Sequence, residues 1–408
     1  MAKIKPFHGI RYNDGDISKF ICPPYDIISA SEKDNLMKAS RENLVRIELP
    51  EAVGGANKYQ SAARLFNDWR GKNVLTEDKT PALYFYEQAF ADKGRKMTRR
   101  GFFAALRLEN PHKGSIKPHE KTLSKPKEDR LKLIRAVRAN ISPIFGLFND
   151  PAKRVVKLAG NISKTKPLSF AKDKDGVTHK LWKADDARTI SSIAGMLDKL
   201  QIFIADGHHR YETAWNYSLE RKKKDKNFSQ AAGYNYVLIF VCPVQDPGLS
   251  IWPTHRVVAL PDDFEERIAQ YFNVLPAKKF ATLSHGSPQP LLVYYKGRSR
   301  TLTVKNSKLL SAAMPDKCAA YRNLGVSILH SLLIPALAAD QFTYVKSEKE
   351  ARSLADKRNH AAIMVPSTPI EAMKEIALAG QAMPQKSTYF YPKVATGMVI
   401  HSLKKSNV

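Results

Sequence analysis

The stretch from Gln201 to Thr213, with Ile202-Phe-Ile-Ala-Asp-Gly-His-His-Arg-Tyr-Glu212 at its centre, gathers two imidazoles, a guanidinium and two carboxylates around one glycine. Ile202 to Ala205 is apolar and rich in β-branched and aromatic residues, so it reads as a buried strand that ends at the Asp206-Gly207 turn. Tyr211, Ala214, Trp215 and Leu219 then recur at helical spacing, which starts a helix near His209. A strand that stops, a glycine and a helix that starts bring several backbone N–H groups to one point. Those donors and the helix dipole together attract an anion such as phosphate. His208 and Glu212 stand four apart and can share a metal, although a lone pair of ligands is a weak signal.

A second polar stretch is Pro118-His-Glu-Lys-Thr-Leu-Ser-Lys-Pro-Lys-Glu-Asp-Arg130. Nine Lys and Arg stand against three acids between Lys113 and Arg138. Most charge runs are solvated helix faces, and Arg135 and Arg138 are weighed evenly between that reading and a functional one. His119, Glu120, Lys121, Thr122 and Lys127 sit in a constrained polar segment before a helix, which suits a binding loop better than a linker. Cys22-Pro-Pro-Tyr-Asp26 is stiffened by two prolines and presents Asp26 on a loop. Near the end of the chain, the proline-bracketed loop Met383 to Lys393 carries Lys386, Ser387, Thr388 and Lys393, all able to reach a phosphate. Its bland alternative is a packed terminal strand.

The elements that must hold these residues follow from periodicity. Phe7 to Gly15 reads as a short strand and turn, and Ser29 or Ser31 caps a helix through about Ala39. Asn43 to Pro50 alternates apolar and polar residues and predicts a strand with Arg46 and Glu48 on one face. A helix follows from about Lys58 to Lys72. Ala82–Phe90 and Arg99–Leu108 read as paired strands around the Asp92-Lys-Gly94 turn. Pro126, Glu128 and Asp129 start another helix. Ile144–Phe148 is a strand, and the pattern weakens from Asp150 to Lys183. A helix from about Asp186 to Leu200 leads into the central stretch, and Tyr236–Cys242 is a buried strand. Leu292–Lys296 and Thr301–Val304 predict a hairpin, Ser327–Ile334 a buried helix in which His330 is a core residue, Ala361–Val365 a core strand, and Pro369–Gly380 a helix. Strands and helices alternate coarsely, which argues for α/β or α+β.

The 408 residues suffice for two or three domains. With 66 Lys and Arg against 39 Asp and Glu, the formal net charge is +27. That suggests a polyanionic partner, either nucleic acid or phosphorylated small molecules, or else a general basic bias spread over the surface. Cys22, Cys242 and Cys318 are far apart and odd in number, so neither a disulfide framework nor a zinc ribbon is implied, and they read as core thiols. The sequence shows no signal peptide and no run approaching the length of a membrane helix, so a soluble, cytoplasmic protein is expected. A P-loop, a dinucleotide fingerprint, HExxH and a GxSxG elbow are all absent. What remains is a kit of anion-binding loops plus carboxylates at Asp26, Glu120 and Asp206. Phosphoryl transfer uses such a kit: cations and N–H groups on phosphate, a carboxylate-held metal, and a base for the acceptor hydroxyl.

Cys22-Pro-Pro-Tyr-Asp26, Pro118-His-Glu-Lys-Thr122, Pro126-Lys-Glu-Asp-Arg130, Asn140-Ile-Ser-Pro-Ile-Phe-Gly146, Ala205-Asp-Gly-His-His-Arg-Tyr-Glu-Thr-Ala214 and Pro384-Gln-Lys-Ser-Thr-Tyr-Phe-Tyr-Pro-Lys393 resemble the signatures of the DUF1015 family, over essentially the whole chain. Asp206-Gly-His-His-Arg210 is also similar to the phosphate-binding box of ParB-like proteins, including free serine kinases built on that fold. The resemblance implies serine phosphorylation with pyrophosphate as donor. One departure is Ser124-Lys125, where a small residue or glycine is expected before Pro126.

The expectation is therefore an α/β (α+β) protein with a ParB-like mixed-sheet core over residues 1–255. A C-terminal α/β portion over 256–408 follows, its last loop (383–393) returning to the site. The expected activity is a phosphotransferase acting on a small hydroxyl substrate, foremost free L-serine, with pyrophosphate or a nucleotide as donor. Asp26 is the expected base and Glu48 the reserve, with Asp206 the third catalytic carboxylate. Gly207, His208, His209 and Arg210 take the donor's phosphates, assisted by Lys121 and Lys127. His119, Glu120, Thr122, Arg130, Glu212, Lys386, Ser387 and Thr388 complete the binding set. Mg²⁺ is expected near Asp206 or Glu120. The alternative is a ParB-like nucleotide- or nucleic-acid-binding regulator, nucleic acid being the less favoured partner; no membrane partner is expected.

Overall fold

The computed structural model describes residues 2–111, 113–120, 122–277 and 287–404. It is a mixed α/β protein, as the alternation of elements predicts, and it divides into two compact units. The first comprises residues 1–118, 122–250 and 392–408; the second comprises 119–121 and 251–391.

In the first unit a nine-stranded sheet runs in the order Ile116–Lys117, Ile202–Asp206, Ile144–Phe148, Tyr236–Pro243, Arg95–Arg107, Leu83–Asp92, Thr178–Ala184 and Ser169–Lys172, with Ile4–Lys5 paired to Arg95–Arg107. Two pairings are parallel, Ile202–Asp206 with Ile116–Lys117 and Tyr236–Pro243 with Ile144–Phe148. The two-residue period divides the central strands between two layers. Ile202, Ile204, Ile239 and Val241 face a core that also holds Phe85, Phe102 and Ile144. Phe240 turns to the opposite face, where it meets Phe103, Phe145 and Tyr86. The helix His208–Lys224 packs on the first layer through Tyr211 and Ala214. Its Tyr217 joins a smaller cluster with Ile134 of the helix Ser124–Val137. A four-stranded sheet, Leu75–Glu77, Gly9–Tyr12, Ile400–Ser402 and Ala139–Asn140, completes this unit.

The second unit holds a six-stranded antiparallel sheet in the order Phe272–Pro276, Arg298–Val304, Leu291–Tyr295, His360–Met364, His255–Ala259 and Phe342–Val345. Helix Glu348–Arg358, capped by Ser347, covers it with Ala351 and Ala355 against Val257, Leu292, Ala362 and Met364.

Several sequence expectations need correction. Asn43–Pro50 is no strand: Val45–Glu48 is one helical turn. The Asn43 side chain accepts the Val45 amide and so supplies the local bond that starts the turn, as asparagine does at helix starts. Burial of Leu44, Val45 and Ile47 fits that turn as well as an alternating strand. The weak region after Asp150 contains the helix Arg154–Ile162 and two strands. The expected helix 327–334 is interrupted by a π turn over Leu329–Leu333, next to Pro335, which has no N–H to return to Ser331. Cys22 and Cys242 are buried, but Cys318 is only half-buried and is not a core thiol. Among the described residues, no helix is long and apolar enough to cross a membrane.

Candidate functional site

The strand Ile202–Asp206 ends in the first unit at Gly207, whose φ of +89° lies in the left-handed region that glycine enters without a Cβ penalty. A Cβ there would also lie 3.0 Å from Ile144 Cγ2 and 3.1 Å from Arg210 Cζ. The first intrahelical bond runs from the Tyr211 amide to the Gly207 carbonyl, so the amides just before Tyr211 lie outside the helical ladder.

Asp206 closes the strand with both oxygens engaged. Oδ2 accepts from Arg210 Nη2 and Oδ1 from Lys393 Nζ. Burial alone would raise this carboxyl, but the charges of Lys393 and Arg210 outweigh it and hold Asp206 well below the usual carboxylate range. Arg210 is anchored further: Nη1 donates to the Pro143 carbonyl and, at 3.2 Å, to the Ser142 hydroxyl.

One turn along, Glu212 accepts from Thr122 Oγ1 at 2.9 Å and from Lys127 Nζ at 2.7 Å. The Leu123 amide donates to His209 Nε2 at 2.8 Å. An accepting Nε2 requires a neutral ring with its proton on Nδ1. Burial pushes the His209 pKa down, in keeping with that state. Two side chains of the helix end, His209 and Glu212, thus hold the 122–127 segment against it.

Asp26 lies exposed in the short turn Tyr25–Ile27 after the two prolines, and its charge bears on His209 and Arg210. Arg130 lies 4.4 Å above the Tyr25 ring, and burial pushes the Tyr25 phenol up to about 12. Arg130 also donates to Asp129 Oδ2 at 2.5 Å and to the Glu48 carbonyl at 2.8 Å. Glu48 itself is 1% exposed. Burial raises its pKa, against the opposing charges of Arg130 and Arg210.

The remaining predicted residues belong to the second unit. His119 Nε2 pairs with Thr388 Oγ1 at 3.1 Å, and Glu120 Oε1 accepts the Lys386 amide at 2.7 Å. Ser387 donates to the Pro384 carbonyl at 2.5 Å. Lys386 has a φ of +55° and its Nζ lies 5.5 Å from the Tyr344 ring centroid. Arg256, fully buried, donates to the carbonyls of Gln385 and Lys386. Burial lowers its pKa to about 10. Lys121 lies outside the described residues.

The first unit therefore gathers Asp26, Glu48, Thr122, Lys127, Arg130, Asp206, Gly207, His208, His209, Arg210 and Glu212, and the second gathers His119, Glu120, Lys386, Ser387 and Thr388. Asp206 and Glu120 do not fit the expected magnesium site as arranged. Both Asp206 oxygens accept from cations, and Glu120 Oε1 is taken by an amide. Among the described residues, no three His, Cys, Asp or Glu side chains are grouped to hold an ion.

Sequence reasoning read Lys393 as a phosphate contact and missed that it is the partner of Asp206. It missed Arg99 and Gln88 altogether. Both are fully buried. Arg99 donates to Gln88 Oε1 and, at 2.5 Å, to the Pro392 carbonyl, and Gln88 donates at 2.9 Å to the Lys393 carbonyl. The sequence carries little signal for either, since Gln88 follows Glu87 and Arg99 lies in the basic run Arg95–Arg100.

The fold is mixed α/β, and cations and carboxylates stand together at the start of the helix His208–Lys224. By its sequence, the chain belongs to the DUF1015 family, described as proteins of unknown function, whose family profile matches residues 4–332. No curated protein matches the sequence. Among solved structures it is similar to a free serine kinase in complex with AMP, at 11% identity and a TM-score of 0.36, covering 72% of this chain and 89% of that one. It is also similar to a conserved hypothetical protein from Pyrococcus furiosus, at 13% identity and a TM-score of 0.34, covering 69% and 89%. Likenesses of this size carry no inference about activity.

Proposed function

We propose that the protein is a phosphotransferase that moves a phosphoryl group from pyrophosphate or a nucleotide to a small hydroxyl substrate, foremost free L-serine. The observation that supports this most is the grouping, within one unit, of Asp26, Lys127, Arg130, His209 and Arg210 with the start of the helix His208–Lys224. The backbone amides after Gly207, with Lys127 and Arg210, form the donor-phosphate cradle. Asp26 is the base. It is exposed on a stiff turn, where a substrate hydroxyl can come within hydrogen-bond reach, whereas Glu48 is enclosed. The hydroxyl proton passes to Asp26 and the hydroxyl oxygen bonds to phosphorus. The bridging P–O bond then breaks, and its electron pair leaves with orthophosphate or with the nucleotide shortened by one phosphate, a diphosphate from ATP and a monophosphate from ADP.

In this reading Asp206 orients Arg210 and Lys393 and is no metal ligand, and no step is assigned to a metal held by the protein. Purified protein incubated with Mg²⁺, L-serine and either pyrophosphate, ATP or ADP should yield O-phosphoserine by ³¹P NMR. Failure with all three donors would overturn the proposal. The net charge of +27 favours nucleic-acid binding as the second reading. A gel shift with steep salt dependence that survives Asp26→Asn would support it instead.

A further inference from the structure

A cleft of about 50 Å³ in the first unit is lined by Glu48, Arg130, Asn140, Ser142, Arg210 and Thr213, with apolar side chains between them. Neither carboxylate oxygen of Glu48 has a hydrogen-bond donor. Arg130 is 3.7 Å from Oε1, too far for a hydrogen bond. Its donors go to Asp129 and to the Glu48 carbonyl. The Arg210 fork is likewise committed to Asp206, Ser142 and the Pro143 carbonyl. The Ser142 hydroxyl and the Tyr25 amide lie near enough to favour the charged carboxylate, as do the Arg130 and Arg210 charges, but neither stands in hydrogen-bond geometry to it.

A buried carboxylate in this position needs donors from a molecule in the cleft. The space excludes a nucleobase or a sugar. It holds ~3 waters or one compact polar head, and a primary ammonium brings three donors and the complementary charge. We propose that this cleft recognises the primary ammonium of the small hydroxyl substrate, with Glu48 as its acceptor. Glu48 is then a substrate-binding residue and no reserve base. The demand for hydrogen-bond donors rests on the cleft; the choice of an ammonium to supply them, and the identity of the molecule, rest on the phosphotransferase reading.

Calorimetric titration of the full chain, with no phosphate donor present, tests this with L-serine, ethanolamine and 3-hydroxypropanoate. L-Serine and ethanolamine are expected to bind, with 3-hydroxypropanoate at least tenfold weaker. Glu48→Gln is expected to weaken L-serine binding at least tenfold. Equal binding of 3-hydroxypropanoate, no binding of either amine, or an L-serine affinity within twofold of wild type in the variant would each overturn the proposal. Should the variant misfold, a wild-type crystal soaked in ethanolamine decides. Its nitrogen within hydrogen-bond distance of Glu48 supports the assignment, and water alone in the cleft overturns it. Efficient phosphorylation of 3-hydroxypropanoate would sustain the kinase and sink the ammonium site. Amine binding without any phosphoryl transfer would do the reverse.

Discussion

Lys393 Nζ donates to Oδ1 of Asp206, a residue 187 positions earlier in the chain. Together with Arg210 on Oδ2, it makes Asp206 the shared anion of two cations. The carboxylate at the strand end is thereby fixed, and so is the guanidinium that borders the helix start. The result is a preset geometry of positive groups, which an incoming phosphate would not have to order for itself.

Replacing Lys393 by Met should destabilise the protein by about 1–3 kcal/mol, because Asp206 keeps Arg210 and loses only one of its partners. The pH dependence has a definite sign. Asp206 titrates lower folded than unfolded, so its contribution is present above the unfolded carboxyl value of about 3.9 and lost as pH falls through the folded value. Urea melts of wild type and Lys393→Met should therefore differ at pH 7 and converge as pH falls below about 4. A constant difference across that range would remove the ion pair as the cause.

Asp26→Asn should lower phosphoryl transfer about 10²–10⁴-fold, the usual worth of a general base, with little effect on the fold. Asp26 is exposed, so its amide analogue disturbs no packed neighbour. The measurement is kcat alongside a thermal melt. Retained activity in a normally folded variant would move the base elsewhere.

Much of the fold was legible because its signals are local. Ser29 caps the helix Ala30–Ala39 through the Glu32 amide, and the strands Leu83–Asp92 and Arg95–Arg107 pair around the predicted turn. The grouping around Asp206-Gly-His-His-Arg210 was also foreshadowed, since a strand, a glycine and a helix fix the start of that helix whatever the rest does. Glu48 was misplaced because Leu44, Val45 and Ile47 satisfy a strand period and a helical turn equally, and the deciding bond comes from one asparagine side chain. The partnership of Lys393 with Asp206 was illegible because no periodicity links positions so far apart.

His209 should govern docking of the segment that carries Thr122 and Lys127. Its Nε2 accepts the Leu123 amide only while the ring is neutral. Burial lowers its folded pKa, so the contact is fully present above the unfolded histidine value of about 6.5, and protonation removes it as pH falls below that. Amide exchange at Leu123, followed by NMR, should accelerate as pH is lowered from 7.5 to 5, beyond the intrinsic pH trend of neighbouring amides. His209→Ala should exchange fast throughout, at a cost of about 1 kcal/mol in local opening. Unchanged protection at pH 5 would show that the Glu212 bonds alone hold the segment.

Arg99 should control the reach of Lys393 without touching it. The guanidinium binds the Pro392 carbonyl and Gln88 together, and Gln88 in turn binds the Lys393 carbonyl, so two buried side chains fix the backbone from which the Lys393 side chain extends to Asp206. A lysine at position 99 keeps the charge but cannot span both acceptors with a planar fork. Arg99→Lys should therefore fold and yet release the 392–393 backbone. Lys393 Nζ, with its side chain 10% exposed and paired in the wild type, should become at least tenfold faster to label by acetic anhydride, as read by mass spectrometry of the peptide. Phosphoryl transfer should fall in parallel, because a loosened Lys393 no longer shares Asp206 with Arg210. If labelling stays slow while activity falls, Arg99 acts through the sheet it packs in, beside Phe145 and Phe240, and not through Lys393.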